Sequence, residues 1–224
     1  MTTKEHIINV DGVEIIIHDL DTSETMVHMK EQVYEQDEYK LKNIDFKPGD
    51  VVIDIGANVG CVSVFLAKKF PYLKIYSYEA HPVNYKNLLK NIEINKIENI
   101  VPNNFIVLDK DDDGVDIELN RHNSGSTSIF KTNSKSPESF NVKTISLDTI
   151  IEKNNINDIK FLKLDCEGSE FRILNNSKKI HNISIENIAV EIHTFVNNES
   201  VDDLINLINK TSKNKPITKV YTLG

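Results

Sequence analysis

Val51-Val52-Ile53-Asp54-Ile55 is an apolar run without alternation, broken by one carboxylate. Such a strand is buried on both faces, the condition of a strand inside a parallel sheet. It runs directly into Gly56-Ala57-Asn58-Val59-Gly60, so the strand ends in a turn that opens a helix. In an open α/β sheet that is where backbone N–H groups and a helix N-terminus face a ligand. Strand and helix then alternate: a helix over about Val59 to Lys69, a strand Lys74 to Tyr78, a helix opened by Pro82 and running to about Asn95, and a strand near Asn104 to Leu108. The rhythm resumes with Val142 to Ile145, a helix from Leu147 or Asp148, a strand Ile159 to Leu164, a short helix after Gly168, a strand Ile185 to Ile192, a helix Val201 to Asn209 and an edge strand Ile217 to Tyr221. Alternation of this kind specifies an α/β fold, a Rossmann-like sheet with right-handed crossovers and helices on both faces.

A smaller unit precedes the sheet. Asp11-Gly12 separates two β-rich runs, His6 to Val10 and Val13 to Ile17, the strongest short signal for a hairpin. Helix caps at Asp21-Thr22-Ser23 lead into Met26, Met29 and Val33 at near-helical spacing, giving a surface helix that Pro48-Gly49 brings to an end. The expected organisation is a hairpin and helix extension over 1–49 and a core over 50–224, within the size of one ordinary domain. Between Asp109 and Pro137 the rhythm is broken by an acidic turn, a short strand Val115 to Leu119 and a polar stretch. Residues 120–136 of that stretch read as an acceptor-side lid.

Charge and cysteine content narrow the partners. A formal net charge of −8 repels phosphate backbones and anionic lipid surfaces, so nucleic acid is excluded as a partner. No apolar run approaches the ~20 residues of a membrane span, and the start lacks a signal-peptide core, so the expectation is a soluble, cytoplasmic chain. Cys61 and Cys166 are too few for a disulfide framework and read as buried thiols.

The residues that carry chemistry stand at strand ends. The glycine loop differs from a dinucleotide fingerprint, because Asn58 replaces the middle glycine that admits a pyrophosphate, and Asp54 lies just upstream. Beside a buried carboxylate a cationic ligand is preferred, which points to S-adenosylmethionine with its sulfonium and ammonium. Gly56, Ala57, Asn58 and Gly60 form the candidate cofactor loop with Asp54, Asn58 suiting a left-handed turn. Glu79, closing the second core strand, suits acceptance from both ribose hydroxyls. Asp165 and Glu167 follow the strand Ile159 to Leu164, and Glu191 and His193 end the next one, with alternation sending the latter two to one side. Asp165, Glu167 and His193 are candidates for deprotonating and orienting an alcohol, Asp165 first and His193 second. Asp165, Glu167 and Glu191 are the alternative candidates for holding Mg²⁺. Glu170 reads as charge complementarity at a helix N-terminus.

These segments together, with Glu79-Ala80-His81-Pro82, Asn123 to Ile129, Ile145-Ser146-Leu147-Asp148 and Phe161 to Glu170, resemble the FkbM family of S-adenosylmethionine-dependent methyltransferases. The resemblance covers about Asp50 to Phe195, and its most specific part is Asp165-Cys166-Glu167-Gly168-Ser169-Glu170. It implies a class I methyltransferase fold and methyl transfer to a hydroxyl of a sugar, glycan or small metabolite. It also implies cofactor contact at Asp54, Gly56, Asn58 and Gly60, ribose contact at Glu79, and a place beside the reacting methyl for Asp165 and Glu167. The hairpin and the tail lie outside it and are available for the acceptor or for contact with a second copy. Rival classes are a nicotinamide oxidoreductase, a non-catalytic S-adenosylmethionine-binding module and a protein methyltransferase acting on Lys or Arg.

Overall fold

The structure, a computed structural model, describes residues 3–20, 25–118, 139–194 and 200–221. The lid expected over 120–136 and the motif Asn123 to Ile129 lie outside the described residues. At the N-terminus β1 (Thr3–Val10) and β2 (Val13–Leu20) pair antiparallel across Asp11-Gly12, whose φ values of 48° and 77° are those a tight hairpin turn demands. A short helix α1 (Thr25–Met29) passes into a π-helical stretch, Lys30–Glu35, and ends there. The helix does not persist toward Pro48. Asp37 and Lys40 both turn left-handed, and Leu41–Asn43 forms a single 3₁₀ turn. Nor is it only a surface helix, since Met26, Val33 and Tyr34 are buried in the core.

The central sheet is built from β3 (Val51–Ile55), β4 (Lys74–Tyr78), β5 (Ile100–Asn103), β9 (Asp158–Leu164), β10 (Ser184–His193) and β11 (Ile217–Tyr221). The helices between them are α2 (Cys61–Lys69), α3 (Pro82–Ile94), α4 (Leu147–Lys153), α5 (Glu170–Asn176) and α6 (Val201–Thr211). Strand order is β5-β4-β3-β9-β10-β11, every pair parallel, which makes this a Rossmann-like, doubly wound α/β sheet. Alternation divides the strands between two cores. Val52, Ile75, Phe161 and Ala189 pack with α2 and the hairpin, while Ile53, Ile55, Tyr76, Leu162, Leu164 and Ile188 pack with α4, α5 and α6. Burial of both faces is why β3 and β9 read as continuous apolar runs.

The strand expected near Asn104 to Leu108 is not part of this sheet. The third core strand is β5, and β6 (Ile106–Leu108) instead joins β8 (Ser139–Ser146) and β7 (Asp112–Glu118) in a separate small sheet, order β6-β8-β7. The expected resumption of the core at Val142 to Ile145 is therefore also a strand of the small sheet. Pro102 hides β5 from a pattern reading. β5 is an edge strand, where a missing N–H costs no ladder bond. The small sheet packs against Ala80, and Phe140 meets the His81 ring edge-on at 4.9 Å, so it flanks the carboxyl end of β4.

The hairpin is fastened to α3 by side-chain amides. Asn95 accepts from Ile16 N–H (3.0 Å) and donates to Ile16 C=O (2.6 Å), while Asn91 does the same for His18 (2.7 and 3.0 Å). Four residues along a helix rise ~6 Å, close to two residues along a strand, so the amides stand in for a neighbouring strand at the edge of β2. Among the described residues no helix is long and apolar enough to cross a membrane.

Candidate active site

Alternation puts Asp54, Lys163 and Glu191 on the same sheet face as Val52, Phe161 and Ala189, at the carboxyl edge. Lys163 is almost wholly buried; its Nζ lies 3.3 Å from both Asp54 Oδ1 and Asp165 Oδ2 and donates to Gly56 C=O at 3.0 Å. Burial opposes its charge, but Asp165, Asp54 and Glu191 raise its pKa above the ordinary lysine value. Ser63 Oγ adds a 2.6 Å hydrogen bond to Asp54 Oδ2. The cation expected beside Asp54 is thus supplied by the chain itself. Asp54 is fully buried, and among the described residues it reaches the loop only through Lys163.

The glycine loop is closed on itself. Gly56 and Ala57 N–H both donate to Tyr78 C=O, Asn58 N–H donates to Glu79 Oε2 (2.7 Å), and Gly60 N–H donates to Ala57 C=O. The free N–H donors expected of this loop at Gly56, Ala57, Asn58 and Gly60 are therefore already used. At Gly56 (φ 78°) a Cβ would stand 1.7 Å from the Asp165 carbonyl oxygen, so this glycine lets two strand ends touch. At Gly60 (φ 95°) the Cβ would stand 2.5 Å from Leu88 Cδ1, so this glycine permits a close approach of α2 and α3. Asn58 takes the left-handed conformation (φ 52°) anticipated for it, and its Oδ1 is enclosed without a hydrogen-bond partner among the described residues.

Glu79, also buried, accepts from Asn58 N–H, from His81 N–H (2.9 Å) and from Asn84 Nδ2 (3.4 Å). Burial nevertheless pushes its carboxyl up to about 7, the three donors opposing the shift.

The other end of the edge is a cluster of acids around one histidine. Glu170 is wholly buried and accepts from Cys166 N–H (3.0 Å) and Gly168 N–H (3.1 Å), and its Oε1 lies 3.1 Å from His193 Nδ1. Those bonds clamp a turn in which Glu167 is itself left-handed (φ 54°), a costly conformation for a residue with a Cβ. His193 Nε2 faces Glu167 Oε2 at 3.7 Å. Burial works against an imidazolium here, but the hydrogen bond and charge of Glu170, then the charges of Glu167 and Asp165, leave His193 pushed up to about 9. Burial raises Glu167 to about 7, partly opposed by His193. Cys166, expected to be buried, is half-buried.

A family model described as the methyltransferase FkbM domain matches residues 54–214, well over half of the chain. The chain belongs to the FkbM methyltransferase family. It is 24% identical over 186 residues to the hexuronic acid methyltransferase AglP of Haloferax volcanii, covering 83% of this chain and 72% of that protein. It is 23% identical over 184 residues to the 31-O-demethyl-FK506 methyltransferase FkbM of Streptomyces tacrolimicus, covering 69% of this chain and 70% of that one. The chain spans 66–72% of the length of the curated relatives that it matches along most of its own. Among solved structures, TYW2 of M. jannaschii in complex with AdoMet is 22% identical with a TM-score of 0.33, covering 46% of this chain and 44% of that one.

In this FkbM domain Asp165, Glu167 and His193 each bring one ligand-type atom within 4.8 Å of the others. The oxygen set expected for Mg²⁺ is not assembled. Glu191 is not in that group, and its Oε1 accepts from the Tyr39 hydroxyl at 2.9 Å. The third position is a histidine nitrogen held by Glu170, where a hard dication prefers oxygen. Sequence reasoning missed three members of the site. Lys163 passed as one residue of an apolar strand, although a lysine within Phe161-Leu162-Lys163-Leu164 signals a buried partner. Glu170 passed as helix-end charge, and Tyr39 carried no local signal.

Proposed function

We propose that this chain is an S-adenosylmethionine-dependent O-methyltransferase whose acceptor is a hydroxyl of a sugar, glycan or small metabolite. The observation that carries the reading is the attachment of Asp165. Both Lys163 and the Tyr39 hydroxyl engage its Oδ2, so Oδ1 is left for an acceptor, and the Asp165 backbone abuts Gly56 of the cofactor loop. Base and loop therefore share one strand edge. The enclosed, unsatisfied Asn58 Oδ1 fits a ligand that brings a hydrogen-bond donor to the loop, and Glu79 beside it is the acceptor for ribose hydroxyls. Asp54, Gly56, Ala57 and Gly60 shape the loop that holds the ligand. When bound, S-adenosylmethionine supplies an electrophilic methyl group.

The protein's share is to align the hydroxyl and receive its proton. Asp165 takes that proton at Oδ1, Glu167 orients the hydroxyl, and His193, held as imidazolium by Glu170, offsets the charge of the acids. His193 is thus a poor base at neutral pH, and the base is a carboxylate. The names of AglP and of the FkbM methyltransferase, one a sugar acid enzyme and one an O-methylating enzyme, support acceptors of this class. The experiment is transfer of labelled methyl from S-adenosylmethionine into extract fractions by the full chain. Base-stable label in glycan or metabolite fractions is the expected result. Label confined to protein points to a protein methyltransferase, base-labile label to an ester, and no label to a binding module.

A further inference from the structure

We propose that β1 is an interface between two copies of this chain, pairing antiparallel with β1 of a second copy about a two-fold axis at Ile7. The pairing does not depend on the reaction or on the residues assigned to it. Val10 and Val13 close the two-residue turn, so Val10, Ile8, His6 and Lys4 turn their N–H and C=O groups toward β2. Glu5, Ile7 and Asn9 turn theirs outward, and no other backbone group bonds to them among the described residues. In its two-stranded sheet β1 has β2 on one side only. Ile7 is also the most exposed large apolar side chain among the described residues, at 61%.

The other sheet edges among the described residues are blunted. β5 carries Pro102, β6 is three residues long, β7 is interrupted between Asp112 and Val115, and β11 has Lys219 at its centre. Proline, short length, bulges and charge all keep an edge from pairing. β1 has none of the first three: it runs eight residues without a break in register, and its charges are confined to Lys4 and Glu5 at its start. The occupant that fits is a second copy, because the strand complements itself. Centred on Ile7, the pairs set Ile7 against Ile7, Glu5 against Asn9, His6 against Ile8 and Lys4 against Val10, so no like charges are opposed and the exposed Ile7 side chains cover each other. Centring on Glu5 would oppose two carboxylates. The pairing at Ile7 satisfies the outward groups of Glu5, Ile7 and Asn9 and joins the hairpins into one four-stranded sheet, an isologous contact. Charge does not oppose it locally despite the net −8, since Lys4 offsets Glu5, and Lys69 and Lys42 pair with Asp11.

The test is sedimentation of the full chain from about 5 μM to about 1 mM, a range set by the small size of such a contact against the ~1,600 Å² of a standard interface. The wild type should pass from monomer to dimer within it. Ile7→Lys opposes two ammonium groups across the axis and should raise the dissociation constant at least tenfold; Ile7 is exposed, so the thermal unfolding midpoint of the monomer should stay unchanged. Cysteine capture under a glutathione redox buffer fixes the register. In Ile7→Cys the two Cα atoms would stand about 5.5 Å apart, within disulfide reach, and a covalent dimer should form. In Asn9→Cys the two sulfurs belong to positions about 13 Å apart along the strands, and no self-link should form. A wild type that stays monomeric throughout overturns the proposal and leaves the edge to an extended segment of a different chain. A dimer indifferent to Ile7→Lys, or one that Asn9→Cys captures as readily as Ile7→Cys, overturns it as well.

Discussion

The two ends of the carboxyl edge treat their polar groups differently. At the ends of β3 and β4 every loop donor named above is spent inside the protein, and Glu79 is held by one of them, Asn58 N–H, together with His81 N–H and Asn84 Nδ2. At the ends of β9 and β10 the turn is clamped, yet Asp165 engages Lys163 and Tyr39 through Oδ2 alone among the described residues, and Glu167 and His193 face each other at 3.7 Å, too far for a direct hydrogen bond. The first arrangement suits a shaped seat for one ligand, and the second suits proton transfer, where a group must change partners. Lys163 belongs to both, because it ties Asp54 to Asp165.

The comparison can be broken most severely at that shared residue. Lys163→Met leaves two carboxylates without their buried cation and should destabilise the fold by about 3–5 kcal/mol in urea unfolding. A loss below 1 kcal/mol would mean that the two ends are independent. Asp165→Asn keeps the shape and should affect one end only. Turnover is expected to fall about a hundredfold or more, with S-adenosylmethionine affinity little changed; near-normal turnover would remove Asp165 from the chemistry.

Smaller effects separate the two ends by pH. Glu79, raised from an ordinary 4.5 to about 7, contributes stability that is present below pH 4.5 and lost as pH rises toward 7. His193, raised from 6.5 to about 9, contributes stability that is present below 6.5 and lost as pH rises toward 9. Each slope is at most about 1.4 kcal/mol per pH unit. Glu79→Gln should flatten the lower window and His193→Gln the upper one in stability–pH curves; a wild-type curve flat from pH 6.5 to 9 would show that His193 is not held as imidazolium. The smallest expected effect is that of EDTA, which should leave turnover unchanged. Loss of activity restored by Mg²⁺ would reinstate a metal at the β9–β10 end.

Much of the scaffold was legible because local chemistry and fold agree. Asp11-Gly12 makes its hairpin, Pro82 occupies the first turn of α3, and β3, β4 and β9 fall where mainly apolar runs put them. β5 was not legible, because Pro102 argues against a strand unless the strand is known to be an edge, and edges are a property of the whole sheet. In the site, the strand-end position of Glu79 and the segment Asp165 to Glu170 stood out. Partnerships did not. Tyr39 meets Asp165 across 126 residues, and Lys163 reaches Asp54 from a strand more than a hundred residues later. A single sequence read locally carries no term for such pairs. The free-donor reading of the glycine loop went wrong for the same reason, since Tyr78 C=O reaches it from β4.

The central claim is that S-adenosylmethionine sits on the Gly56–Gly60 loop against Glu79. Calorimetric titration of S-adenosylmethionine and of NAD into the full chain, and of S-adenosylmethionine into Glu79→Ala, tests it most directly. The account predicts one site for S-adenosylmethionine, none for NAD, and about tenfold or greater weakening in the variant, the loss of a hydrogen bond to a charged group. Binding of NAD in its place, or a variant within twofold of wild type, would contradict it.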